Sequence, residues 1–306
     1  MKHLLSLEEV SGKEILSLID LAIKIKKNPR KFEKRLHNKV ILMLFEKPSL
    51  RTRLSFEVAM LQLGVHAIYH DLTTSPLEKG KENIEDTAKV VSRYVDVIMA
   101  RLFEHSTLEK LAANASVPVI NGLTNFSHPC QVLSDLLTIK EKFGKLKGLK
   151  LSYFGDANNN VTHSLLFALP KVGMHLTVFC PDKSEFRPRV QVSDIARREA
   201  RHNATKLIIT SDIKHTTNSD IVYTDSWMSY HIPKSQQRKR AAVLKKFQVN
   251  SKVMKAAGKA IFMHCLPAQR GMEVTADVID SKRSVVFDQA ENRLHMEKAI
   301  LIWLLK

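Results

Sequence analysis

Short apolar blocks alternate with helical patterns along most of the chain. The blocks at 40–45, 65–69, 95–100, 117–120, 149–154, 176–179, 207–210, 221–224 and 260–264 are the length of buried strands. Between them the spacing changes to that of helices. Phe56, Met60 and Leu63 mark one helical face, and Ile84, Ala88 and Val91 another. Ser6 and Glu9 have capping-box spacing and predict a first helix over 6–27. Pro129 opens a helix that runs to about Phe143. Strands alternating with helices predict an α/β protein with mainly parallel sheets. The Lys- and Gly-rich stretch at 144–148 follows the helix from Pro129, so a domain boundary is expected near residue 140.

The length of 306 residues suits two domains that each bury a core. The net charge of +17 raises the question of a nucleic-acid partner. The basic residues are scattered, however, and the denser runs at 145–150 and 238–246 carry no interleaved aromatics. They read as a solvated basic surface that also draws in anionic substrates. The three cysteines, Cys130, Cys180 and Cys265, form no Cys-x-x-Cys pair, which argues against a disulfide framework or a structural zinc site. No apolar run is long enough for a membrane span, and the first residues lack the apolar core of a signal peptide. A cytoplasmic protein with no membrane and no nucleic-acid partner is expected.

The most informative stretch joins the strand at 40–45 to the helix after it. Ser49, Leu50, Arg51, Thr52 and Arg53 stand at the helix N-terminus, behind Phe45-Glu46-Lys47-Pro48. Free backbone N–H groups and the helix dipole favour an anion there. Two hydroxyls and two guanidinium groups in the same place suit a small phosphate. Arg101 closes another strand at its carboxyl end, where open α/β sheets bind ligands. His128 precedes Pro129 at a helix start. Cys265 reads either as a nucleophile or as an inert buried thiol.

Four further segments follow in order: His128-Pro129-Cys130-Gln131, Asp225-Ser226-Trp227-Met228-Ser229, His264-Cys265-Leu266-Pro267 and Glu291-Asn292-Arg293-Leu294-His295. With the Ser-x-Arg-Thr-Arg loop, this set resembles the aspartate/ornithine carbamoyltransferase family, and its ornithine branch more closely. The resemblance implies two doubly wound domains with the active site in the cleft between them. Residues 1–140 would bind carbamoyl phosphate, 141–290 would bind ornithine, and a C-terminal helix at 291–306 would pack back on the first domain. It also implies a homotrimer with shared sites, no metal or cofactor, and a place in arginine biosynthesis.

The resemblance assigns Ser49, Leu50, Arg51, Thr52 and Arg53 to the phosphate, together with Arg293. Arg101 would contact both phosphate and carbonyl oxygen, His128 would donate to that oxygen, and Gln131 would contact the carbamoyl amide. Cys265 and Leu266 would offer backbone carbonyls to the same amide, with the Leu266-Pro267 bond cis and the Cys265 thiol beside the amino acid. Asn160, Asp225, Ser229 and Tyr230 would hold ornithine.

Two departures from the family pattern bear on the acceptor. Relatives read Asp-x-Trp-x-Ser-Met-Gly, whereas Tyr230 and His231 stand at the last two places here. The segment 76–82 lies between the Gln-bearing form of ornithine enzymes and the Lys-bearing form of aspartate enzymes. The alternatives are a transferase for putrescine or a modified ornithine, or a non-catalytic basic binding protein.

Overall fold

The computed structural model describes residues 2–74, 81–215, 218–228 and 233–305. Among these, all nine apolar blocks form strands: β1 Val40–Phe45, β2 His66–Asp71, β3 Val97–Arg101, β4 Val119–Leu123, β5 Lys150–Phe154, β6 His175–Phe179, β7 Leu207–Thr210, β8 Ile221–Thr224 and β9 Ile261–Met263. The helices are α1 Gly12–Lys27, α2 Leu50–Leu63, α3 Ile84–Val91, α4 His105–Asn114, α5 Pro129–Phe143, α6 Asn160–Ala168, α7 Val190–His202, α8 Lys234–Leu244, α9 Ser251–Ala256, α10 Ala276–Ile279 and α11 Val286–Leu304.

Two compact units result. One is Met1–Leu137 with Glu291–Lys306, and the other is Thr138–Ala290. The first holds a four-stranded sheet in the order β2-β1-β3-β4, and the second a five-stranded sheet in the order β7-β6-β5-β8-β9. Every pairing is parallel. Parallel strands need crossover helices on the sheet faces, which explains why β1 reads as an unbroken apolar run. In the first unit, Leu42, Leu44, Ile98 and Ala100 pack with Ile84, Ala88, Leu108 and Leu111. In the second, Phe154, Val222 and Phe262 pack with Phe247, Met254 and Val278.

Strand order reverses once in each sheet, between β1 and β3 and between β5 and β8. Loops leaving the strands on either side of such a point diverge, and the crevice at the carboxyl ends is the standard ligand position of this fold. The first crevice receives the segment after β1 and the end of β3. The second receives the segments after β5 and β8.

Two helix starts differ from expectation. The first helix begins at Gly12, not near Ser6. Ser11 is its N-cap and Glu14 completes the capping box. Residues before it are drawn into the first sheet instead: Leu4 donates to Val119 and accepts from Asn121, and Leu4 and Leu7 are buried. That pairing competes with a helical turn and wins. The last helix starts at Val286, five residues before the expected 291.

Candidate active site

In the first unit, Pro48 and Ser49 stop β1 and start α2. The Ser49 hydroxyl caps the helix by accepting from the Thr52 N–H at 3.3 Å. Leu50 is exposed and Arg51 half-buried in the first helical turn, so the side chain at position 50 is not held by packing. Thr52 is buried, and its hydroxyl receives two guanidinium groups, from Arg101 and Arg293, each at 3.2 Å. Arg293 comes from α11 and also donates to Gln131 Oε1 at 3.1 Å. The Gln131 amide nitrogen donates in turn to Asp135. His128, just before α5, is buried with Arg101, Lys47 and Arg293 around it. Thr52, Arg101, His128, Gln131 and Arg293 are therefore assembled at one place, although 241 positions separate Thr52 from Arg293.

Arg53 does not join them. Its side chain lies on the outer face of α2, where it donates to Glu57 at 2.8 Å and sits 3.9 Å above the Tyr69 ring. One residue past Thr52 on a helix turns the side chain by about a quarter turn or more, which accounts for the different face.

The electrostatics of the cluster follow from burial among cations. Burial and the charges of Arg293, Arg101 and Lys47 hold the His128 imidazole well below its usual range. It is therefore neutral near pH 7, with one ring N–H to donate. Lys47 is a member that motif reading left out of the site, although Phe45-Glu46-Lys47-Pro48 contained it. It is buried, donates to Asn125 Oδ1 at 3.0 Å and lies 4.4 Å from the Phe103 ring centre. Burial and the neighbouring Arg101 push its ammonium down to about 8. Lys47 is then a cation below pH 8 and neutral above it. Sulfate, used as a phosphate mimic, is expected to bind more weakly as pH rises above 8, by up to about tenfold per unit. Titration calorimetry on the protein and on Lys47→Met checks this, since the variant lacks that limb.

The second unit brings other residues together. Gly155 ends β5 at φ +124°, and a Cβ there would lie 3.0 Å from the Trp227 indole nitrogen. Glycine is needed for both reasons. Asn159 caps α6, accepting from Thr162, while its amide donates to the Tyr153 hydroxyl and the Asp156 carbonyl. This leaves Asn160 half-buried at the first helical position. Asp225 follows β8, and its Oδ1 accepts from Ser226 N–H at 2.7 Å and from the Cys265 thiol at 2.9 Å. Cys265 and Asp225 thus meet across 40 positions. The Leu266-Pro267 bond is cis, and Leu266 has φ +57°. Ser229, Tyr230 and His231 lie outside the described residues, as do positions 75–80.

Asp225, His264 and Cys265 place one ligand-type atom each within 4.8 Å of one another. The imidazole is already used, however. Its Nδ1 accepts from the Leu266 N–H at 2.8 Å, so the proton is on Nε2, which faces Glu273 at 3.3 Å. A metal would have to break that bond to reach the lone pair. Cys130 and Cys180 are buried thiols pushed up by burial, the second to about 12, so neither is poised as a nucleophile.

The fold and these residues define a two-unit α/β protein with a buried cluster of cationic and hydroxyl groups in one unit and a half-buried carboxylate after β8 in the other. The carbamoyl-phosphate-binding domain of aspartate/ornithine carbamoyltransferases matches residues 2–141, and their Asp/Orn-binding domain matches 147–304. An ornithine carbamoyltransferase of Carboxydothermus hydrogenoformans is 47% identical over 99% of this chain and 97% of that protein. One described as anabolic, from Pyrococcus furiosus, is 46% identical over 98% and 95%. The solved ornithine carbamoyltransferase of Pyrococcus furiosus superposes with a TM-score of 0.94 at 44% identity, covering 99% of this chain and 97% of that one. The chain belongs to the aspartate/ornithine carbamoyltransferase family, and it is a carbamoyltransferase.

Proposed function

We propose that the protein transfers the carbamoyl group of carbamoyl phosphate to the side-chain amine of L-ornithine, yielding L-citrulline and phosphate. The observation that carries this reading is the convergence of Arg101 and Arg293 on Thr52 at the N-terminus of α2, beside a neutral His128. Ser49, Arg51, Thr52 and the Leu50 backbone hold the phosphate with Arg293. Arg53, engaged with Glu57, is left out of that set.

The acceptor supplies its own nucleophile. The neutral amine attacks the carbonyl carbon, a C–N bond forms, and the C–O bond to phosphate breaks. The amine proton leaves with the phosphate. Negative charge grows on the carbonyl oxygen, where Arg101 and the His128 N–H donate. Donors preset for that charge supply most of the acceleration. Gln131 and the backbone carbonyls of Cys265 and Leu266 orient the carbamoyl amide. Asp225 pairs with the α-ammonium of ornithine, and Asn160, Ser229 and Tyr230 complete the amino-acid contacts. The Cys265 thiol lines the pocket and forms no covalent bond.

We place the enzyme in the cytoplasm, where thiols such as Cys130, Cys180 and Cys265 stay reduced, and in arginine biosynthesis. Among the described residues no helix is long and apolar enough to cross a membrane. A homotrimer is supported by exposed apolar side chains on one stretch of the first unit: Leu50, Leu54 and Leu61 on α2 and Ile68 on the edge strand β2.

A product assay decides the acceptor. Carbamoyl phosphate is offered with ornithine, putrescine, N-acetylornithine or aspartate, and ureido products are identified. Citrulline is expected in large excess. A preference for putrescine or N-acetylornithine would reassign the acceptor and keep the reaction, and no product with any amine would overturn the reading.

A further inference from the structure

Glu297 lies one turn beyond Arg293 on α11 and is fully buried, yet the reaction described above makes no use of it. Its Oε1 accepts from Arg293 Nε at 3.0 Å and from Nη2 at 2.8 Å. The same guanidinium spends Nη2 on Thr52 and Nη1 on Gln131. Four of its five N–H donors are engaged in this way. A guanidinium is a rigid planar fork, so holding one edge determines where the other points. The Ser55 hydroxyl on α2 donates to the Thr52 carbonyl at 3.4 Å, and Glu297 Oε2 is buried without a hydrogen-bond partner.

We propose that Glu297 is a positioning residue of the carbamoyl phosphate site, clamping the Arg293 guanidinium onto Thr52 and Gln131 and offsetting part of its charge against the bound anion. The proposal rests on the phosphate site placed at Thr52 and Arg293 above.

The charged and titratable groups facing Glu297 are few. Arg293 is on its own helix, the Cys130 thiol faces it from α5, and the neutral Ser55 lies near it on α2. Burial pushes the Glu297 carboxyl up to about 7, against the opposing pull of Arg293. Cys130 is pushed up and stays a neutral thiol. Below pH 7 the carboxyl is protonated and the whole Arg293 charge faces the anion. Above it the carboxylate cancels part of that charge. Anion affinity therefore falls as pH rises through 7. By linkage, a bound anion favours the protonated carboxyl and draws in a proton. Lys47, which titrates near 8, is largely charged up to pH 7 and about half charged at pH 8, a loss that the wild type and Glu297→Gln share.

Titration calorimetry of the full chain with sulfate, which carries no proton to exchange, tests this between pH 6 and 8. Wild-type affinity is expected to fall by about fivefold to tenfold across that range. Glu297→Gln keeps an acceptor for the clamp but has no charge to gain. It should match the wild type at pH 6 and bind several-fold tighter at pH 8. Glu297→Ala lacks the same charge but also loses the clamp, and should bind sulfate more weakly than Glu297→Gln at every pH. Should Glu297→Gln fail to fold, heats for the wild type at pH 7 in buffers of different ionisation enthalpy still report the proton taken up, and no uptake would overturn the proposal. A Glu297→Gln profile as steep as the wild type would also overturn it, leaving the phosphate site intact. A wild type that binds no sulfate, or binds it equally well after Arg51→Ala, would remove the site itself and the proposal with it.

Discussion

Replacing His128 with alanine is expected to lower kcat by about two to three orders of magnitude, with little change in affinity for carbamoyl phosphate. The imidazole is buried beside Arg293, Arg101 and Lys47 and is held neutral by that surrounding charge and by desolvation. A neutral ring adds no net attraction for the phosphate, so its removal costs little in the ground state. Its N–H counts when the carbonyl oxygen becomes an oxyanion, and loss of one such donor typically raises the barrier by about 3–4 kcal/mol. The same neutrality predicts that the acid limb of the pH–rate profile does not arise from His128 protonation near pH 6–7. Steady-state kinetics with carbamoyl phosphate varied separates the two effects. A rise in KM with unchanged kcat would make His128 a ground-state binding residue instead.

Asp225→Asn is expected to raise the KM for ornithine about a hundredfold. Asp225 is half-buried, and its Oδ1 already accepts from the Ser226 N–H and the Cys265 thiol. Those two donors hold the carboxylate in place, and its negative charge is what an α-ammonium would recognise. Breaking a desolvated pair costs roughly 3–5 kcal/mol and an exposed one under about 1, so a half-buried carboxylate falls near 3. Cys265→Ser is expected to be mild by comparison, because a hydroxyl can donate to Asp225 as the thiol does and the backbone carbonyl is unchanged. Initial rates over a range of ornithine concentrations check both. Normal ornithine saturation in Asp225→Asn would move the amino-acid site elsewhere.

The central strands β1, β3 and β8 were legible because burial on both sheet faces writes them as nearly unbroken apolar runs, whereas the edge strands β2 and β7 are only partly buried. β1, β7 and β8 fall on the blocks at 40–45, 207–210 and 221–224, and the others lie within about three residues of theirs. Helix starts were less legible where two caps compete. Ser6 and Glu9 have capping-box spacing just as Ser11 and Glu14 do, and only the pairing of Leu4 with β4 decides between them. Motif order led to Thr52, Arg101, His128, Gln131 and Arg293. It could not say which faces of α2 these residues meet, so Arg53 was included with Arg51 although it turns outward. Partner choice was equally invisible. Lys47 with Asn125, Glu297 with Arg293, and the buried Arg240–Asp156 pair that ties α8 to the turn after β5 join distant positions or carry no motif. The two long-range pairs are created by tertiary packing, whereas Glu297–Arg293 is an i,i+4 pair on α11 that tertiary packing only buries.

The central claim is direct attack by the ornithine amine on carbamoyl phosphate held at Thr52, Arg101 and Arg293. A rapid-quench experiment with carbon-13-labelled carbamoyl phosphate and ornithine tests it most directly, following phosphate, labelled citrulline and protein-bound label in the first turnover. Labelled citrulline is predicted to appear in step with phosphate, one for one, with no label on the protein. Phosphate released ahead of citrulline, with labelled carbamoyl trapped on Cys265, would contradict it.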